Sequence, residues 1–336
     1  MPQLTVALDM MGGDYGPSIT VPAAAQALSL LPDVNLLLFG LKAELTPWLT
    51  RYGLAEHPRV TVQFCSQQVG NEDKAAYALR HLTDSSMRCA LDALASGRAD
   101  LCVSAGNTGA LMAMAVNTVN TLPGIDRPAL ITRLPQQQGG YALLLDVGAN
   151  ISCSAHHLCQ FALMGEQMAI HTLDIAQPRV ALLNVGAEAN KGSEVVREAG
   201  MCLQAMNKLH YQGYVEGNQL FSGHADVIVC DGFVGNVALK ASEGVARLLL
   251  AQRQQGSVFR KILTTWLKRR LSHLNPDQYN GASLIGLRAS VVKSHGSAGS
   301  PAFFNAILQG LSECRNNLPS RIAHRFDTAP QDSHVR

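Results

Sequence analysis

A chain of 336 residues, 47% hydrophobic and 15% charged, can bury a sizeable core in one large α/β unit or two lobes. A formal net charge of +2, a pI near 8.1, 5% aromatics and no nucleic-acid module signature exclude a general affinity for RNA or DNA. Eight cysteines with no CxxC pair and no His/Cys spacing suited to zinc read as buried free thiols, so neither a metal nor a cofactor is expected.

Short apolar runs alternate along the chain with longer segments of helical period. The first run, 4–10, predicts a strand that stops at Asp9 and Gly12-Gly13-Asp14 in "DMMGGDYGP"; a helical pattern follows at 18–31. Strands are predicted at 34–40 and 60–64, and a helix at 85–97. The strand at 101–105 breaks in "SAGNTG" (Ser104, Gly106, Asn107, Thr108, Gly109), where a helix opens over 108–119. The strand at 141–147 ends in "LLLDVGAN", carrying Asp146 and Asn150, before a helix at 155–171. Then come a strand at 179–184, a helix at 193–209, a strand at 226–230, a helix at 234–252, a strand at 289–293 and a helix at 301–316. The strands are apolar throughout rather than alternating, which predicts a mostly parallel sheet covered on both faces. The polar stretch 327–336 reads as a frayed tail behind one unit spanning 1–326.

In such sheets ligands bind beyond the carboxyl ends of the strands, where glycines let backbone approach and helix starts offer N–H groups to anions. Taken singly, Asn107, Thr108, Asp231 and Asn236 read as caps of the helices they precede or open. The likeness of the loops at 9–17, 104–109 and 231–236, with Gly232 and Gly235 in the last, points to a shared anion site. None of them is GxGxxG, so a dinucleotide is not indicated. "LLNVGAEANKGSE" (182–194) approaches a P-loop but has Lys191 and Gly192 in swapped order, which removes the nucleotide argument. What remains is a loop lysine behind a buried strand, either aimed at the anion site or solvated and paired with Glu188.

The motifs "DMMGGDYGP", "DSSMRCALD" (84–92), "SAGNTGALM", "GIDRPAL" (124–130), "LLLDVGAN", "LLNVGAEANKGSE", "VCDGFVGNVALKASEG" (229–244), "HLNPDQYNGA" (273–282) and "VKSHGSAG" (292–299) occur in this order along nearly the whole chain. Together they make the chain resemble the bacterial phosphate acyltransferases, the acyl-ACP:phosphate transacylases that begin phospholipid synthesis. It departs in "NEDKAAYALRHLT" (71–83) and in Met11, which enlarges the first loop.

The resemblance implies a three-layer α/β/α Rossmann-like fold like that of phosphate acetyltransferases and the isocitrate dehydrogenase group, usually as a homodimer. It also implies transfer of a long acyl group from acyl carrier protein to inorganic phosphate, with short acyl-CoA thioesters as the alternative donor. A nicotinamide-dependent dehydrogenase and a non-catalytic membrane recruitment protein are the readings from other classes. By resemblance Lys191 holds phosphate and Asn236 donates to the oxyanion. His295 either protonates the leaving thiolate or is structural, and Cys230 reads as a core thiol. Asp9, Gly12, Gly13, Asp14, Ser104, Gly106, Asn107, Thr108, Gly109, Asp146, Asn150, Asp231, Gly232 and Gly235 are the expected phosphate and substrate contacts.

The segment 257–274 places Phe259, Ile262, Leu263, Trp266 and Leu267 at helical spacing, and residues 244–276 hold seven Arg/Lys with no Asp or Glu. A basic amphipathic helix of this kind fits a core or dimer contact, carrier docking, or peripheral contact with an anionic membrane where a glycerol-3-phosphate acyltransferase takes the product. No run of 18 apolar residues occurs, so the expected location is the cytoplasm, peripherally on the inner face of the membrane.

Overall fold

The computed structural model describes residues 3–251 and 281–327. The basic segment 257–274 lies outside them, as does the tail 327–336 but for Asp327. Among the described residues eleven strands make one sheet: β1 (Leu4–Asp9), β2 (Val34–Leu41), β3 (Val60–Cys65), β4 (Leu101–Ser104), β5 (Ala129–Pro135), β6 (Tyr141–Leu145), β7 (Val180–Leu183), β8 (Tyr211–Val215), β9 (Val227–Val229), β10 (Ala282–Ile285) and β11 (Ser290–Lys293). The described helices are α1 (Pro17–Leu30), α2 (Lys42–Arg51), α3 (Ala75–His81), α4 (Ser86–Ala95), α5 (Thr108–Thr118), α6 (Ala155–Thr172), α7 (Glu194–Ala205), α8 (Gly232–Ala251), α9 (Ser300–Arg315) and α10 (Leu318–Asp327).

The strand order is β3-β2-β1-β4-β11-β10-β5-β6-β9-β7-β8. Two parallel blocks, β3 to β11 and β6 to β8, run in opposite directions. The antiparallel strands β10 and β5 between them make the reversal. The sheet is therefore mostly parallel, as its apolar strands predict, with an antiparallel centre that they do not reveal. β5 carries Arg133 and Pro135 and β8 has Gly213 at its middle, so neither reads as an apolar run, and β10 is likewise not predicted.

Alternate strand residues feed opposite layers. Ala7 of β1 joins a core that runs on through Cys102, Leu144 and Ile228 beneath α4 and α5. Val6 and Leu8 point the other way, into a cluster with Phe303 and Ile307 of α9 and Val21 of α1. On that second face, the other block packs Leu143, Leu145, Val180 and Val229 against Phe161 and Met164 of α6. The result is three layers, with both sides of the short parallel strands removed from water.

At the reversal, Glu313 of α9 is buried and accepts a short hydrogen bond from the Ser283 hydroxyl of β10, which in turn accepts from Gln309 at 2.7 Å. Burial pushes the Glu313 carboxyl up to about 7 from an ordinary 4.5, against the pull of Ser283 and Arg133. Between those two values the folded chain holds a proton that the unfolded chain has released, so the contribution of Glu313 to stability falls as pH rises. Across that window the Glu313→Gln variant is expected to flatten the fall of unfolding free energy with pH by up to one proton. Urea titrations at a series of pH values measure it, and an unchanged slope contradicts the assignment.

Candidate active site

Two buried carboxylates organise the strand-end loops. Asp9, at the end of β1, accepts from the Ser86 and Ser104 hydroxyls, each at 2.6 Å, and from the Met11 amide at 3.3 Å. These bonds tie β1, the first turn of α4 and the end of β4 together. Asp146 follows β6 and accepts from five donors: the amides of Leu130, Gly148, Ala149 and Asn150, and the Asn150 side chain. Burial raises the pKa of both carboxyls, and these hydrogen bonds oppose the shift.

The loops then pack at backbone contact. A Cβ on Gly12 would stand 2.6 Å from the Gly106 amide nitrogen. Gly13 adopts φ +87°, and Asp14 donates its amide to the Gly296 carbonyl at 2.8 Å. Ser104 also accepts from the Gly106 amide, and Asn107 caps α5 by accepting from Ala110 at 3.0 Å. The Asn107 side-chain amide is committed to the carbonyls of Asn71 and Asp73, so this residue shapes the loop. Thr108 and Gly109, at the start of α5, are exposed.

The second set of strand ends follows the same logic. The Asn150 carbonyl accepts from Gly232 at 2.7 Å, and Asp231 caps α8 through the Val234 amide at 2.8 Å. Gly235 fits only because it lacks a side chain, since a Cβ there would lie 1.9 Å from the Asp146 carbonyl oxygen. Asn236 comes next, exposed and beside Gly148. Because β7 and β9 are neighbours and parallel, the loop holding Lys191 leaves the same edge as the start of α8. That loop is braced by Asn184, whose side-chain amide donates to the Lys191 carbonyl at 3.2 Å.

The opposed blocks meet along α8. Asn236, Lys240, Glu243 and Arg247 recur at i, i+4, i+7 and i+11 and form one polar stripe. Lys240 Nζ lies 2.8 Å from His295 Nε2 and 3.1 Å from Glu243.

Burial, then Lys240, lower the His295 pKa; Nε2 faces Lys240 Nζ, while Nδ1 accepts from the Ser297 amide at 3.3 Å and lies 2.9 Å from the Ser297 hydroxyl. Lys293 beside it is buried, donates to the Ala105 and Ser294 carbonyls, and has its pKa pushed down to about 8 by burial. Neither Lys240 nor Lys293 stands out in the sequence as a site residue. The four-residue spacing from Asn236 was the available signal for Lys240, whereas the burial of Lys293 needs the fold. Cys230 is buried behind the start of α8, and burial pushes its thiol well above the ordinary value.

Residues 4–321 match the family described as "Fatty acid synthesis protein". The chain is 53% identical over 332 residues to a phosphate acyltransferase of Aeromonas salmonicida, covering 98% of each chain. It is 48% identical to that of Tolumonas auensis, covering 97% of this chain and 98% of the other. In fold it is similar to a phosphotransacetylase from Streptococcus pyogenes, with a TM-score of 0.62 at 18% identity, covering 93% of this chain and 94% of that one.

The close approach at Gly235 yields a test confined to one helix. Gly235→Ala should lose about 1–3 kcal/mol in urea unfolding. Gly244→Ala, whose added Cβ meets open space, should gain about 0.5–1 kcal/mol as an ordinary helical alanine. Equal effects at the two positions contradict the packing described.

Proposed function

Because the chain belongs to the fatty acid synthesis protein family of phosphate acyltransferases, we propose that it transfers an acyl group from acyl carrier protein to inorganic phosphate. The products are acyl phosphate and free carrier, and the reaction is reversible. What supports this reading is that the loop holding Lys191 and the start of α8, which carries Asn236, follow the neighbouring parallel strands β7 and β9, and that Lys240 of the same helix reaches His295.

Phosphate is already an oxyanion at neutral pH, so its attack on the thioester carbonyl needs positioning and charge stabilisation more than a base. Lys191 holds the phosphate. The Asn236 amide, with the positive end of the α8 dipole, stabilises the oxyanion of the tetrahedral intermediate. When that intermediate collapses, the carbon–sulfur bond breaks and the thiolate leaves beside the ammonium of Lys240, which Glu243 and His295 hold in place. In this reading His295, whose Nε2 faces that ammonium at 2.8 Å, orients it. Thr108, Gly109 and the Gly12–Gly13 turn line the approach of the pantetheine arm. The buried Asp9 and Asp146 act on the reaction through the loops they hold. This chemistry calls for no metal or cofactor.

The basic segment 257–274 extends the proposal to the product's route. A long-chain acyl phosphate has to reach a membrane acyltransferase, and Trp266 and Leu267 with the neighbouring Arg and Lys suit an anionic lipid surface, with the working unit a homodimer at the inner face of the cytoplasmic membrane. No helix of the described residues is long and apolar enough to cross a membrane. Trp266→Glu with Leu267→Glu should abolish sedimentation with anionic vesicles while keeping soluble turnover, and undiminished vesicle binding contradicts this step.

Incubation with palmitoyl-carrier protein and phosphate, with hydroxylamine as trap, should give hydroxamate only when phosphate is present. A strong preference for short acyl-CoA donors in the same assay would favour the acetyl- or butyryltransferase reading. Lys191→Ala and Asn236→Ala should each lower kcat about a hundredfold or more with unfolding midpoints unchanged. Lysine loss should also raise the phosphate KM. Near-normal turnover in either variant contradicts its role.

A further inference from the structure

Away from the strand-end loops of the proposed site, the fold assembles a group of donors that the sequence keeps apart. Cys65 ends the edge strand β3, Asp84 sits in the turn before α4, and Cys89 lies one turn into that helix. The two sulfurs and a carboxylate oxygen all lie within 4.8 Å of one another. The frame around them is doubly tied. Ser66 donates its amide (2.8 Å) and hydroxyl (2.5 Å) to Asp84 Oδ2, and the Asp84 amide donates to the Gln67 side chain at 3.0 Å. These bonds occupy Oδ2 and leave Oδ1 turned toward Cys89 Sγ, 3.6 Å away.

We propose that Cys65, Cys89 and Asp84 bind a thiophilic divalent cation of the Zn2+ kind, with water as the fourth ligand. A tetrahedral centre with metal–sulfur bonds of about 2.3 Å and metal–oxygen bonds of about 2.0 Å separates its ligand atoms by roughly 3.5–3.8 Å, so the donors here need to close by only about 1 Å. A disulfide would require the sulfurs at about 2.05 Å and would leave the carboxylate without a role. Two thiolates select against Mg2+ and Ca2+, which take oxygen ligands. Both cysteines are nearly buried whereas Asp84 is exposed, which gives the ion an entry from the carboxylate side.

Each bound ion displaces two thiol protons to solvent, and the two thiolates and one carboxylate leave the centre with a net charge of −1. The cation would fasten β3 to the first turn of α4, the turn from which Ser86 donates to Asp9. Its role is structural support behind the first strand-end loop.

Co2+ added anaerobically to the reduced, untagged protein provides the test. The expected result is a thiolate-to-cobalt charge-transfer band with tetrahedral d–d bands, saturating at one equivalent and bleached by Zn2+. Cys65→Ser and Cys89→Ser should each lose the bands, Asp84→Asn should weaken binding at least tenfold, and Cys314→Ser should change nothing. Should the serine variants fold poorly, Zn2+ must still protect Cys65 and Cys89 of the wild type from alkylation, read by mass spectrometry, while leaving Cys202 reactive. Absence of the bands, their survival in either serine variant, or unprotected Cys65 and Cys89 overturns the proposal.

Discussion

A carboxylate removed from water must find hydrogen-bond donors, and both sets of strand-end loops are folded around that demand. Asp146 takes four backbone amides and one side-chain amide, which fixes the course of the chain from β6 to Asn150. Asn150 then receives the first amide of α8, so the start of that helix is set by a charge buried two steps away. Asp9 does the same for the first block through Ser86 and Ser104. Losing one donor leaves a partly unsatisfied buried charge, a larger penalty than loss of an exposed pair. The glycines that let the loops touch follow from these fixed positions.

The second constraint is topological. Because β10 and β5 reverse the sheet, the carboxyl ends of the two parallel blocks belong to strands of opposite direction. α8 begins at one set and, at about 1.5 Å per residue, has travelled roughly 12 Å by Lys240. There it meets His295 beyond β11. A single helix thus joins two groups of loops that a uniformly parallel sheet would have placed side by side.

Much of this was legible in the residues. The apolar strands ending in Asp9, Ser104, Asp146 and Asp231 announced burial on both faces and loops rich in capping residues. The motifs pointed to the family that the relatives show. The reversal was hidden because β5 and β10 are short or polar and their pairing is non-local. The bland reading of Asn107 as a cap describes what its side chain does. Lys293 looks like any lysine until burial removes it from water, and Cys65, Asp84 and Cys89 become neighbours only through folding.

The central claim of the account is that phosphate attacks the thioester directly, with Lys191 and Asn236 managing charge and no protein group carrying the acyl chain. Cys230 is the nearest rival nucleophile, yet it is buried behind α8 and burial holds its thiol protonated. The most direct measurement is intact-protein mass spectrometry during a single turnover with palmitoyl-carrier protein, first without phosphate and then with it. The account predicts no acylated enzyme and no free carrier until phosphate is added, followed by acyl phosphate and carrier in equal amounts. A phosphate-independent palmitoyl adduct on Cys230, chased by phosphate at the rate of turnover, would contradict it.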